Sequence, residues 1–422
     1  MSRKTCIITA IMQRITLRDI KNTYHKGQGI AANLRYGFPG RKMNIIGVTG
    51  TDGKTTTASM IYAVLARAGF KAALISTVSA IIDGASYDTG FHVTTPGAFP
   101  LQRYLALAKR HGVTHLVLEV TSHGLDQARV YGIPFSIGVI TNVSHEHLDY
   151  HKTYEAYVKA KTKLLLASKL AVVNQDDMSY PLISQILAAR SRRYPPPILT
   201  YGMETGDFNK KNTNFVLHVP GKFNIYNALA AWAVCRSLGV SAEIIREALK
   251  TYFLPVGRGE IVYDEKFTIM IDFAHTPKAL AEILSTIKND LHPVGRIIHV
   301  FGSAGERDRT KRPLMGMASA TYADHVILTA EDPRREAVSS INSEIRSGMP
   351  KDRLVKQNVT VEEVNDRQRA IDAAVAMAKP GDFIVITGKG HEKSMNFGKG
   401  ETHWSDHEAV IKALEKRKAC SR

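Results

Sequence analysis

From Met43 onward the chain alternates short apolar runs with stretches whose apolar residues recur at helical spacing. MNIIGVTG (43–50), KAALISTVSA (71–80), THLVLEVTS (114–122), FSIGVITNV (135–143) and AVVN (171–174) read as strands. Between them, TTTASMIYAVLARAG, closed by Gly69, and LQRYLALAKRHG read as helices. Apolar strands alternating with amphipathic helices imply a parallel sheet covered on both faces. Lys222 to Phe253 reads as two helices broken by Gly239, and LPVGRGEIV, with Pro255 and two glycines, as a hinge. A second alternation follows in FTIMIDFAH, KALAEILSTIKND, GRIIHVFGS, HVILTAEDP, RQRAIDAAVAMAK and DFIVITGKG. The expected organisation is a short basic segment over 1–42, a first α/β domain over 43–254 and a second over 255–422. Within the first segment, Leu17 to Tyr36 fits an amphipathic helix weakened by Gly27 and Gly29, and Pro39-Gly40 breaks the chain before the first strand.

Composition narrows the class. At 422 residues, 44% hydrophobic and 23% charged, the chain is an ordinary folded protein long enough for two domains. No apolar run approaches the roughly 20 residues of a membrane-spanning helix. The N-terminal run is interrupted by Gln13 and Arg14 and lacks a small-residue cleavage site, which points to the cytoplasm. Cys6, Cys235 and Cys420 are isolated, so neither a disulfide framework nor a zinc site is expected. The net charge of +17 suits anionic substrates or peripheral contact with an anionic membrane. Its spread along the whole chain, without RNA-binding aromatic signatures, argues against nucleic acid as a partner.

The chemistry starts at GVTGTDGKTTT, residues 47–57. A glycine-rich turn between a strand and a helix aims backbone N–H groups and a helix N-terminus at an anion. Gly50 and Gly53 permit the tight backbone, Thr51, Asp52 and Thr56 complete the turn, Lys54 reaches the β- and γ-phosphates of ATP, and Thr55 ligates Mg²⁺. The general Walker pattern places a glycine where Val48 stands, so this is a shortened form, GTxGKT.

That turn, followed in order by HVTTP, LEVTSHGLDQARV, TNVSHEHLDYH, YVKAKTKLL and FNIYNALAA, resembles the central domain of the Mur ligases. VGRGEIV, IDFAHTP, HVFGSAGERDRTKRP, EDPR and GKGHE resemble their C-terminal domain. Within the family the similarity is to the branch that adds the third residue of the peptidoglycan stem peptide, the UDP-N-acetylmuramoyl-tripeptide synthetases. The fold implied is a central P-loop ATPase domain with a parallel sheet, followed by a Rossmann-like α/β domain. The activity implied is ATP-driven amide formation: an acceptor carboxylate becomes an acyl phosphate, and an amino acid then displaces the phosphate. Several anions meet in such a site, so Mg²⁺ and lysines are required.

The resemblance also implies roles for individual residues. Glu119 helps Thr55 bind Mg²⁺, His147 ligates a second Mg²⁺, and Lys161, fixed by its spacing from Tyr157, is carbamylated into a further Mg²⁺ ligand. From the residues alone Lys161 would be part of a basic helix face, and His145 and His151 surface or core histidines. The family has Asp where Glu146 stands, which leaves its role open. Asn142, Asn227, Arg258, Asp272 and His275 border the nucleotide, with Asn227 against the adenine. Thr94, Thr95, Thr121, Gln127 and Arg129 meet the acceptor, Arg129 being able to grip a carboxylate or phosphate in a bidentate pair. Arg307, Glu331, Asp332, Pro333, Arg334, Gly388 and Glu392 fall on the amino acid pocket, although the family pattern at 331–332 is Asp-Asn. Arg334 suits a distal carboxylate and Glu392 a distal ammonium; meso-diaminopimelate has both, whereas lysine lacks the carboxylate.

Mur ligases carry a UDP-gripping domain ahead of the phosphate turn, and residues 1–42 are too short to form it. The expected acceptor is therefore a UDP-MurNAc-dipeptide-like precursor held by the remaining surfaces, or a peptide, polymer or lipid-linked acceptor. A glutamate ligase of the folylpolyglutamate synthetase type is a further alternative. A non-catalytic nucleotide-binding protein would not need the intact set of Lys54, Glu119, His147 and Lys161. A monomer acting on small molecules is expected.

Overall fold

A computed structural model describes residues 17–87, 95–144, 146–190, 195–356 and 358–420. The run after Met43 forms β1 (Asn44–Thr49). It is joined by β2 (Ala72–Ile75), β3 (Ala80–Ile82), β4 (Ala85–Tyr87), β5 (His115–Glu119), β6 (Phe135–Ile140), β7 (Ser168–Asn174) and β8 (Ile198–Tyr201). The eight strands lie in the order β4-β3-β2-β5-β1-β6-β7-β8. Because β1 is central, its alternate side chains enter two different layers. Ile46 and Val48 pack on Met60, Ile61 and Val64, while Ile45 packs on Leu101 and Leu105. Each of these buried β1 side chains contributes about 1.5–3 kcal/mol.

β1 runs parallel to both neighbours, with Val48 opposite Glu119 and Thr49 opposite Ile140. The phosphate turn, Glu119 and Asn142 therefore leave the sheet side by side at its carboxyl edge, where open sheets place ligands. The stretch 71–80, expected as one strand, is interrupted. It stops at Ile75, turns through Ser76–Ser79, and returns as the antiparallel β3 and β4 at the sheet's edge. The interruption has a purpose in the site: Thr77, in the turn, donates to Glu119 through both its N–H and its hydroxyl, at 3.0 and 2.9 Å.

The second alternation forms β9 (Glu260–Asp264), β10 (Thr268–Asp272), β11 (Ile297–Phe301), β12 (His325–Leu328), β13 (Thr360–Glu363) and β14 (Phe383–Thr387). Their order is β13-β12-β11-β14-β10-β9, all parallel except the edge strand β9. A small hairpin, β15 (Ser394–Asn396) with β16 (Glu401–His403), follows. Both sheets are thus parallel centrally with antiparallel edges, since an edge strand can reverse without a crossover helix. The helix Leu17–Tyr36 spans the residues its pattern indicates and buries Ala32 and Asn33, whose Nδ2 donates to Tyr131 O at 2.9 Å.

One buried charge fixes the carboxyl edge of the second sheet. Arg367 makes a bidentate pair with Asp406 at 2.8 Å, and donates to Ala330 O beyond β12 and Thr387 O at the end of β14. Both side chains are fully buried. Removing one partner strands the other charge in the core. Asp406→Ala is therefore expected to destabilise the protein by about 3–5 kcal/mol, read as a lowered midpoint in urea denaturation; a midpoint equal to wild type would contradict this role.

Candidate active site

The phosphate turn is fastened from three sides. Thr51 N donates to Asn142 O at 2.9 Å, and Asp52 N to Asn142 Oδ1 at 3.0 Å. Asn142 Nδ2 returns a bond to Asp52 O at 3.0 Å, so this residue clamps the turn from β6. From β5, both Glu119 oxygens accept Thr55 Oγ1, at 3.1 and 3.0 Å. From the helix Lys222–Ser237, Asn227 presses against Gly53: a Cβ there would lie 2.3 Å from Asn227 Oδ1, and φ is +78°. The first-turn N–H groups of the helix Lys54–Arg67 then face the cavity without helical partners. Lys54 is folded back onto Thr51 O at 2.8 Å.

Behind the turn, Lys161 is buried, its Nζ donating to Gly50 O at 2.6 Å and lying over the Tyr157 ring. Burial, reinforced by Lys54, pushes its pKa well below that of an ordinary lysine. His147 sits in the left-handed conformation beside His123, with ring centroids 4.9 Å apart. Burial keeps His147 neutral, and burial together with Arg307 lowers His123 to about 4. His151 is a core residue bonded to Ser122 Oγ at 3.0 Å. His145 and Thr94 lie outside the described residues.

The acceptor set is internally connected. Thr121 N donates to Thr95 Oγ1 at 2.8 Å, and Gly124 N to Thr121 Oγ1 at 3.0 Å. Arg129 reaches Thr95 O at 2.8 Å and places its Nε and Nη2 on Gln127 Oε1.

The second domain closes over this edge. Arg258 donates to Thr55 Oγ1 at 3.3 Å and stacks on Phe273, while its buried Nε lacks a partner. Asp272 receives the N–H groups of Gly259 and Ala274, and burial raises its pKa. His275, bonded to Phe273 O, is lowered to about 3 by burial and then by Lys311. Thr276 reaches Asp52 at 3.3 Å. Lys311 crosses between the domains, meeting Glu146 Oε1 at 3.0 Å and His275 O at 2.9 Å. That gives Glu146 the partner its sequence position left open.

Many of these residues border one cavity of about 460 Å³, whose lining includes the phosphate turn, His147, Arg307, Glu331, Asp332, Arg334, Gly388 and Glu392. Gly50, Thr95, Gln127, Asn142, Lys161 and Pro333 stand behind its wall rather than on it. Asn227 borders the cavity, but its amide is engaged by Thr57 Oγ1 and Asn224 Oδ1. Sequence reading missed Thr77, His123, Lys311 and the helix face bearing Glu282. His123 and Lys311 fall inside recognised motifs and could have been found there; Thr77 had no local signal.

Comparison with known proteins agrees with this geometry. Residues 48–235 match the Mur ligase middle domain, and residues 257–390 the Mur ligase glutamate ligase domain. The chain is 36% identical over 437 residues to the UDP-N-acetylmuramoyl-L-alanyl-D-glutamate–2,6-diaminopimelate ligase of Clostridium perfringens, covering 98% of this chain and 87% of that one. The chain is a Mur ligase. A solved UDP-N-acetylmuramoyl-L-alanyl-D-glutamate–2,6-diaminopimelate ligase superposes with a TM-score of 0.59 at 29% identity, over 92% of this chain and 82% of that one. Folylpolyglutamate synthase of Mycobacterium tuberculosis, at 20% identity and a TM-score of 0.70 over 94% of both chains, shares the fold alone. This Mur ligase is accordingly an ATP-dependent enzyme that forms amide bonds, and its family uses Mg²⁺.

The residues fit that ion. Glu119 is buried, yet only neutral donors hold it, and among the described residues no lysine or arginine pairs with it. His147 is a neutral imidazole. Mg²⁺ is usually held by one or two carboxylates, with substrate phosphates and waters completing its shell.

Gly53→Ala should weaken ATP binding roughly 10- to 100-fold, because the new methyl must displace Asn227 and the φ is strained by about 1–3 kcal/mol. Titration calorimetry with unchanged far-UV circular dichroism reads this out; wild-type affinity would refute it.

Proposed function

We infer that this Mur ligase joins meso-diaminopimelate to the D-glutamate carboxylate of a UDP-MurNAc-dipeptide, as the names of its relatives state for them. One observation carries the choice of amino acid. Arg307 and Arg334 both line the cavity, and after burial the Arg334 charge is the largest influence lowering the Arg307 pKa. Two guanidiniums lining one cavity suit an anionic group on the substrate. The distal carboxylate of diaminopimelate supplies one, whereas lysine has no distal carboxylate.

In this reading Lys54, Arg258 and the first-turn N–H groups neutralise the ATP phosphates. Thr121 and Arg129, braced by Thr95 and Gln127, orient the acceptor so that its carboxylate oxygen attacks the γ-phosphorus. The O–P bond of the acyl phosphate forms as the bond to the β,γ-bridging oxygen breaks, and ADP departs. Thr55, Glu119, His147 and a carbamylated Lys161 would hold Mg²⁺, which when bound offsets repulsion between the reacting anions. Burial supports the carbamate, since CO₂ adds to a neutral amine and burial disfavours the ammonium form. Both ends of the cavity come from one chain, so the reading needs no second protomer.

ADP release from UDP-MurNAc-L-Ala-D-Glu should be at least about tenfold faster with meso-diaminopimelate than with lysine, a difference of about 1.4 kcal/mol; equal rates would defeat the choice, and release with γ-glutamyl peptides alone would redirect it to another acceptor. Lys161→Ala should lose activity and regain part of it with short carboxylic acids, and ¹³C-bicarbonate should give a carbamate NMR signal in wild type only. Full activity without rescue would exclude the carbamate.

A further inference from the structure

The amine of the incoming amino acid arrives as an ammonium and must lose a proton before it can attack. The carboxylates around the far half of the cavity are mostly committed: Glu146 to Lys311, and Asp332 and Glu392 to Lys389, at 2.9 and 2.5 Å. Glu331 is different. It borders the cavity, is only 8% exposed, and its Oε2 has no hydrogen-bond partner. Among the described residues it makes no ion pair. Gly388 leaves it room, since a Cβ there would sit 2.9 Å from Oε2. Lys311, which contacts Glu146 beside His147, exerts the largest charge influence on Glu331.

We propose that Glu331 is the base that takes the proton from the attacking ammonium of the amino acid. This rests on the ligase reading above. The carboxylate accepts one proton from the ammonium, and the freed nitrogen lone pair forms the C–N bond at the acyl carbon. The C–O bond to the phosphate then breaks with its electron pair. The second nitrogen proton leaves with the phosphate, and Glu331 returns its own proton to solvent. The charged groups facing Glu331 are Lys311, Asp332 on its own turn, Lys389 and Arg367, the last two committed to Asp332, Glu392 and Asp406. Burial outweighs the nearby cations and raises Glu331 to about 8. The basic form therefore predominates above that pH, and ligation should rise through it.

The test compares wild type with Glu331→Gln and Glu331→Asp, using meso-diaminopimelate and, separately, hydroxylamine. The nitrogen of hydroxylamine is already unprotonated at neutral pH, so it traps the acyl phosphate without a base. Glu331→Gln should form the hydroxamate within about threefold of wild type while kcat for amide formation falls about 10²- to 10⁴-fold. The rise in kcat near pH 8 should disappear from the residual activity, and Glu331→Asp should restore part of it. A loss confined to KM would overturn the proposal by making Glu331 a holder of the ammonium. Equal loss of hydroxamate and amide, or wild-type ligation by the glutamine variant, would overturn it too. No hydroxamate from wild type would overturn the ligase reading and the proposal with it.

Discussion

The ion pair between Lys311 and Glu146 decides whether this molecule has one site or two unconnected sheet edges. Its 3.0 Å contact is almost wholly buried, and the same ammonium also donates to His275 O. A charge so desolvated is tolerated only with its partners in place. Around it lie Arg258 on Thr55 and Thr276 on Asp52, both reaching from the second domain to the phosphate turn. The cavity exists because these contacts hold two carboxyl edges face to face.

Charge within the cavity follows from that closure. His123, His147 and His275 are all held neutral by burial and by surrounding cations. Lys54, Arg258, Arg129, Arg307 and Arg334 all line the same cavity and supply its guanidinium and lysine side chains. ATP and an acceptor carboxylate are both anionic, which is why an ATP-driven ligation calls for several cations along one cavity.

The strands and helices were legible because burial on both faces writes itself as apolar runs, as in β1, β5 and β14. The edges were less so. In 71–80 the chain turns after Ile75 at Ser76-Thr77-Val78-Ser79, and Thr77 meets Glu119, a contact across 42 residues that no local pattern records. The site divides the same way. Lys54, Thr55 and Glu119 announce themselves by motif and by position at a strand end. Asn142 and Asn227 were expected beside the nucleotide; the structure shows them bracing the turn, through bonds to Asp52 and packing on Gly53. Contacts between domains, such as that of Lys311, depend on closure and lie beyond any local window.

Two departures from the family pattern converge on the same residue. The resemblance to Mur ligases implies Asp where Glu146 and Glu331 stand, one in each domain. Both face Lys311: Glu146 by direct contact, and Glu331 as the carboxylate on which Lys311 exerts the strongest nearby charge effect. Each glutamate extends its carboxylate by one methylene. At Glu146 the extension delivers Oε1 to the ammonium across the domain boundary and leaves Oε2 buried without a partner. At Glu331 it carries Oε2 up to Gly388, where only a hydrogen side chain leaves space. At Glu146 a shorter acid would retract from Lys311 and leave the buried ammonium with His275 O alone. An exchange with aspartate is therefore not conservative at either position, since one glutamate sets a buried ion pair and the other the close approach to Gly388.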